Sequence, residues 1–247
     1  MKFRRILRLF VLSAGLITLI AGVVVALNAR WTRVETIRIE LAKLSSEDLL
    51  FQRIKGSLQP QLGAFEGLYF WQVRLRSVFE SVAKDKRVRK VAVYREFPSV
   101  LRVEIEPHTP VLGFLSGDGR IYPVATDATL LPALPVKDAQ DLPLLRGDDL
   151  RDEPRLREVA LELFDKIPTD GEFRKRDVSE ILYTKKDGFD IFLSDVESQV
   201  RMGDADFGPK ISRVQKVLSY LESQNIKGRV IDARFNKKVV VRVRKAP

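Results

Sequence analysis

The chain has 247 residues, with 43 Lys and Arg against 33 Asp and Glu, a formal net charge of +10, one histidine and no cysteine. Without cysteine there can be no disulfide, cysteine-bound zinc or thiol nucleophile, and a single histidine cannot build a histidine-rich metal centre. Six positives (Lys2, Arg4, Arg5, Arg8, Arg30 and Arg33) precede the first acid, Glu35; the remaining 214 residues carry 37 basic and 33 acidic groups, too evenly mixed for a nucleic-acid footprint.

Residues 9–29 form a run of 21 residues without a charge. As a helix the run rises about 31 Å, against a hydrocarbon core of roughly 30 Å. It predicts a transmembrane helix over 9–29, with 1–8 as a cytoplasmic tail and Arg30 and Trp31 at the interface. The heavier positive charge before the run keeps the N-terminus in the cytoplasm and sends the rest of the chain outside. A cleaved signal peptide, cut near Val24-Val25-Ala26, is the alternative, although its apolar region would span only about 7–15 residues. Both readings export everything that follows.

Residues 34–41 alternate, Ile37, Ile39 and Leu41 against Thr36, Arg38 and Glu40, as in a half-buried strand. Ser45, with Asp48 three residues on, is a capping pair for a helix whose apolar face is Leu49, Leu50 and Ile54. A loop is expected around Pro60, Gly63 and Gly67, and Leu75, Val78, Phe79 and Val82 have the spacing of a second helix. Residues 88–95 read as a strand and Phe97-Pro98-Ser99 as a turn. Residues 100–106 read as another strand, with Leu101, Val103 and Ile105 inward. Residues 34–107 therefore predict one β-α-α-β-β unit.

Pro107 and Pro110 interrupt the ladder, since proline has no N–H to donate, and a second domain is expected over 110–247. Residues 111–115 and 120–124 flank Gly117-Asp118-Gly119, a hairpin signal. The stretch 126–149, rich in Pro, Asp and Gly, predicts loop. Leu156, Val159, Ala160, Leu163 and Ile167 make a helical stripe between Pro154 and Pro168. Residues 179–184 and 189–193 form a hairpin through Lys186-Asp187-Gly188, and 199–202 are a short strand. Ile211, Val214, Leu218 and Leu221 define a helix closing near Asn225 and Gly228; strands over 229–232 and 238–244 follow. The whole predicts an α+β chain: a transmembrane helix, a β-α-α-β-β unit, and a mostly antiparallel β-domain with two helices.

Catalytic signatures are scarce. His108 lies between Pro107 and Pro110, a structural setting, and a Ser-His-Asp site would have to be assembled around it. Gly117-x-Gly119 lacks the third glycine of a phosphate-binding loop and falls in a hairpin turn. The acidic pairs Asp148-Asp149, Asp152-Glu153 and Asp204 with Asp206 fall in loops and at helix starts, where carboxylates serve as caps. No catalytic residue, metal ligand or cofactor is expected.

Several stretches follow one another in a telling order. They are Leu68-Tyr69-Phe70-Trp71, then Arg87-Val88-Arg89-Lys90-Val91-Ala92-Val93, then Arg95-Glu96-Phe97-Pro98-Ser99-Val100-Leu101-Arg102-Val103-Glu104-Ile105 with Pro110-Val111 after it. Downstream come Asp118-Gly119-Arg120-Ile121, Leu142-Pro143-Leu144-Leu145-Arg146-Gly147, Val200-Arg201-Met202-Gly203 and Ile231-Asp232-Ala233-Arg234-Phe235. This ordered set, over nearly the whole chain, resembles the FtsQ/DivIB family of cell-division proteins. The resemblance implies that 34–107 is a POTRA domain and 110–247 the family's β-domain. It implies no enzymatic activity. The role it implies is a single-pass scaffold of the bacterial inner membrane, at the division septum. Such a scaffold recruits and links divisome membrane proteins of the FtsB and FtsL type, with weak self-association and no nucleic acid.

The partner site implied by the resemblance is Phe235, Asn236, Lys237, Lys238, Val239, Val240, Val241, Arg242 and Val243. Phe235 stands where the family often has Tyr. Pro107, Ala233 and the Lys237-Lys238 pair depart from the usual Glu, Leu and Gly. A last strand with one neighbour has a free edge to which a partner can add a strand, and Lys237, Lys238, Arg242 and Arg244 favour an acidic one. Lysines on an edge also serve to blunt it against aggregation. The Phe97-Pro98-Ser99 turn and its strands are expected as a second contact edge. The alternatives are a membrane-anchored cell-wall enzyme and another POTRA-type polypeptide-binding protein.

Overall fold

The computed structural model describes residues 2–27, 33–42, 49–134, 141–194, 198–226 and 228–243. The chain divides into two compact units, Met1–Pro107 and His108–Pro247.

The first unit opens with helix α1, Lys2–Leu27, four of whose first seven residues are basic. The uncharged stretch with described side chains, 12–25, is exposed throughout. Among the described residues no helix is long and apolar enough to cross a membrane. The transmembrane helix expected over 9–29 is corrected accordingly, to a helix that ends at Leu27 and is exposed over 12–25. Residues 28–29 and the boundary pair Arg30 and Trp31 lie outside the described residues, as does the capping pair Ser45 and Asp48.

Strands β1 (Thr36–Leu41), β2 (Val88–Glu96) and β3 (Val100–Pro107) form a sheet in the order β1-β3-β2. The central strand β3 runs parallel to β1 and antiparallel to β2. Its alternation buries Leu101, Val103 and Ile105 completely, each worth about 1.5–3 kcal/mol. Helices α2 (Leu49–Leu62) and α3 (Leu75–Ala83) cover that face with Ile54, Leu58, Leu62, Val78 and Val82. The element order β-α-α-β-β is the one read from the sequence. Two details differ. Helix α2 continues through Pro60, where a loop was expected; the carbonyl deprived of its donor belongs to Gly56, one turn earlier. Phe79 is exposed, because this nine-residue helix buries only the line of Val78 and Val82. On the opposite face of the sheet Arg38, Glu40, Glu96, Arg102 and Glu104 pair with one another at 2.8–3.6 Å. Nearby, Arg87 pairs with Asp85 at 2.6 Å and Lys90 with Glu106 at 3.8 Å.

The second unit is built on one eight-stranded sheet. Its strands are β4 (Pro110–Leu115), β5 (Ile121–Ala125), β6 (Leu144–Arg146), β7 (Val178–Thr184), β8 (Gly188–Leu193), β9 (Gln199–Gly203), β10 (Gly228–Asp232) and β11 (Val240–Val243). Their spatial order is β11-β10-β9-β8-β7-β6-β4-β5. The expected mostly antiparallel domain with two helices is corrected here. Three of the seven pairings, β4 with β6, β6 with β7 and β9 with β10, are parallel, so the sheet is mixed. Parallel neighbours need a crossover. The short α4 (Asp149–Asp152) and α5 (Pro154–Lys166) carry the chain from β6 to β7, and α6 (Phe207–Ser223) carries it from β9 to β10. Strand β6 lies inside the stretch expected to be loop.

One row of side chains crosses the whole sheet in register: Tyr122, Phe114, Leu145, Ile181, Ile191, Val200, Ile231 and Val241. The two end members are half-buried and the six between are buried, packed with Ala160 and Leu163 of α5 and Val214 and Leu218 of α6. Two buried cations act as staples. Arg157 donates to the carbonyls of Ala128, Leu150 and Arg151 at 2.7–2.9 Å. Lys210 donates from Nζ to Met202 O at 2.8 Å and Ala205 O at 2.5 Å, fixing the start of α6 to the end of β9. Burial lowers the pKa of each.

Candidate partner-binding edge

The expected partner residues follow β10 directly, and the turn that presents them is clamped at its root. Asp232 accepts from Arg234 three times: from the backbone N at 3.1 Å and Nε at 3.0 Å on Oδ1, and from Nη2 at 2.7 Å on Oδ2. The same guanidinium reaches back to the β7–β8 turn, donating from Nη1 to Asp187 Oδ1 at 2.5 Å. Between them Ala233 is fully buried and its N–H donates to Arg201 O at 2.9 Å. From α6, Arg213 donates through Nη1 to Asn236 O.

Past the clamp the chain is exposed. Phe235 shows 44% of its surface, with Lys238 Nζ 5.3 Å over its ring; Asn236, Lys237 and Lys238 are exposed with it. The strand expected over 238–244 is shorter, Val240–Val243, and Arg244 lies outside the described residues. Val239 and Val241 are half-buried against the core, while Val240 and Arg242 face outward. Val243 is exposed: its partner across the ladder is Gly228, which brings no side chain to cover it.

The two margins of the large sheet are treated differently. At the β5 margin the chain folds back on itself. Leu131 N donates to Pro123 O at 2.8 Å, Leu134 N to Ile121 O at 2.9 Å, and Ala125 N to Thr129 O at 3.0 Å. At the other margin β11 pairs with β10 alone among the described residues. Its far side holds backbone donors and acceptors without a protein partner there, the kind of margin that accepts an added strand.

The family model described as "Cell division protein FtsQ/DivIB, C-terminal" matches residues 114–234, from within β4 to the Arg234 clamp. Over that stretch, just under half of the chain, the protein matches the C-terminal domain of the FtsQ/DivIB family. Two proteins described as "Cell division protein FtsQ" are each 28% identical to it. The one from Geotalea daltonii matches over 188 residues, 73% of this chain and 67% of the relative. The one from a Geobacter species matches over 178 residues, 69% and 64%. The matches thus span about two thirds of those relatives' lengths. This is a cell-division protein, and residues 235–243 begin where the FtsQ/DivIB match ends.

Two residues that hold this edge, Asp187 and Arg213, escape sequence reasoning. Asp187 is 47 positions from Arg234, and only the pairing of β8, β9 and β10 brings its turn alongside. Arg213 occupies an ordinary helical surface position in the sequence. Its one local signal is that it lies one place before the apolar stripe residue Val214.

The other candidates disperse. His108 is buried with Nδ1 3.4 Å from Asp127 Oδ2, but that carboxylate is half exposed, whereas the cell-wall-enzyme reading calls for a buried one. Expected caps are not formed by side chains: no capping hydrogen bond is made by Asp148, Glu153 or Asp206. Asp149 instead pairs with Lys185 at 2.7 Å. Among the described residues no group of three or more His, Asp or Glu could hold a metal ion.

Beside the clamp, Asp190 on β8 is opposite Arg201 on β9. It accepts from Gln199 at 2.7 Å on Oδ2, while Oδ1 has no hydrogen-bond partner. Burial pushes its pKa up, with the Gln199 bond only partly offsetting that. A carboxyl raised on folding favours the native state at low pH, and that contribution is lost as pH climbs from the ordinary carboxylate value through the raised one. Asp232 behaves oppositely: its bond from Arg234 holds its pKa down, so its contribution is present above the ordinary value and lost as pH falls. Asp190→Asn is therefore expected to raise Tm at neutral pH and leave the acid limb, set in part by Asp232, in place. Thermal unfolding from about pH 3 to 8 measures both limbs; a lower neutral Tm would show that Asp190 is stabilised there by its arginines.

Proposed function

We propose that this chain is a non-catalytic scaffold of the bacterial division machinery, acting at the septum, and that it captures its partners by strand addition at the outer margin of β11. The partners are division proteins of the FtsB and FtsL type. On this reading the first unit is a POTRA domain and the second is the module that carries the capture site.

The observation that carries the proposal is the asymmetry of the large sheet: residues 129–134 cover one margin, while β11 is uncovered at the other among the described residues. A four-residue edge turns alternate residues outward, which offers about four backbone hydrogen bonds at a net of about 1 kcal/mol each. That alone makes a weak complex. Phe235 adds an aromatic anchor beside the strand, and Lys237, Lys238 and Arg242 add a field that selects an acidic segment.

Phe235→Ala tests the anchor, since the side chain is exposed and its loss costs the fold little. Affinity for the partner, measured by calorimetry, is expected to fall by roughly 1.5–3 kcal/mol. Unchanged affinity in a folded variant would remove Phe235 from the site.

A further inference from the structure

The second unit holds a recess lined by none of residues 235–243. It opens between α5 and the turn after β5, with a volume of about 610 Å³. Its floor is apolar: Val111, Leu161 and Phe164. Its rim is acidic. Glu158, Glu162 and Asp165 share a face of α5 with Leu161, at the helical spacing i, i+4, i+7 and i+3, and Asp127 faces them from the turn. Against these four carboxylates the lining contains one cation, Lys175.

The carboxylates are not equally occupied. Glu162 holds Lys166 at 2.5 Å and Asp165 holds Lys175 at 2.8 Å. Asp127 has His108 at 3.4 Å, while Glu158 has no ion pair among the described residues. Burial raises Asp127, but hydrogen bonds from Thr129 outweigh it and keep the pKa low; the Lys175 bond does the same for Asp165. Both stay ionised well into the acid range. Lys175 also displays the kind of contact the recess makes: its ammonium lies 5.6 Å from the centre of the Phe164 ring while bonded to Asp165. A cation held by a carboxylate over an aromatic face is a favourable pairing.

We propose that this recess binds a lysine- or arginine-bearing segment of a partner protein, its methylene stem laid on Leu161 and Phe164 and its cation against Glu158 and Asp127. Long basic side chains bury their stems on apolar surface while the charge stays at the rim. The charge preference is the reverse of that at β11, where the exposed lysines and arginine favour acids, so the two sites select different segments.

The test uses the full chain and two dye-labelled peptides of equal length, one alternating Lys with Leu and the other alternating Glu with Leu, read by fluorescence anisotropy. The chain as a whole is cationic, so unspecific attraction would favour the Glu peptide. The Lys peptide is expected to bind saturably. Glu158→Lys, at an exposed helical position, is expected to weaken it about tenfold and Glu158→Gln about threefold. Glu172→Lys, exposed and outside the recess, and Phe235→Ala are expected to leave it unchanged. The proposal is overturned if the Lys peptide does not bind saturably, if Glu158→Lys binds it as well as the parent chain, or if Glu172→Lys weakens it equally.

Discussion

Val240→Pro and Val241→Pro are expected to give opposite results, one crippling the fold and the other crippling partner capture. In β11 these neighbours pair with Asp232 and Ile231 of β10. Consecutive residues of an antiparallel strand send their N–H groups to opposite sides. One of the two therefore bonds β10, and its replacement loses a ladder bond and destabilises the second unit by about 3 kcal/mol. The other N–H points away from the sheet, where its loss leaves the internal ladder intact. In that variant the missing donor and the proline ring together block an incoming strand, and partner affinity is expected to fall about 100-fold or more. Thermal unfolding and calorimetry on the same two proteins separate the cases. Full partner affinity in both variants, each shown to be folded, contradicts strand addition at this margin.

Gly188→Val is expected to cost the second unit heavily in stability. Gly188 opens β8 with φ at +73°, a backbone region where side chains are strained. A Cβ there would come within 2.5 Å of the Gly203 carbonyl carbon on the neighbouring strand and would also meet the Asp204 carboxylate. The left-handed strain and the backbone collision together cost about 3 kcal/mol or more. For a unit of this size that lowers Tm by about 10 °C. The damage reaches the site, because the adjacent Asp187 anchors Arg234 and through it the turn before β11. Partner affinity is expected to drop along with Tm, although residue 188 touches no partner in this account. A Tm within about 2 °C of the parent would show that the β7–β8 turn yields easily and that the clamp does not depend on it.

How much of this could be read from the chain differs by element. Strand β3 was legible because one of its faces is buried, so apolar and charged residues alternate over 101–106. Helices α5 and α6 were legible because each has a single core-facing stripe between clear stops. Strand β6 was not. It is three residues long and surrounded by Pro, Asp and Gly, and what makes it a strand is a parallel partner on each side, each more than thirty residues away. The same long-range pairing makes the expected mostly antiparallel domain a mixed sheet, since a local pattern shows that a strand exists but not which neighbour it takes. Residues 9–29 misled in another way. Their composition suits a membrane span, but among the described residues no helix meets the length and apolarity of one.

The site was half legible. Residues 235–243 were singled out through the resemblance. Two features depend on the folded sheet: the short length of β11 and the clamp that joins Asp187, Arg234 and Asp232. The exposure of Val243 depends on a glycine fifteen positions earlier having no side chain to pair with it.

Amide hydrogen exchange over residues 235–243 of the full chain, with and without saturating partners of the FtsB and FtsL type, tests the capture site most directly. The expected result is a slowing confined to the outward N–H groups of β11, with the covered margin at residues 129–134 unchanged. Exchange in β11 that stays as fast in the complex as in the free chain would show that its partners dock elsewhere.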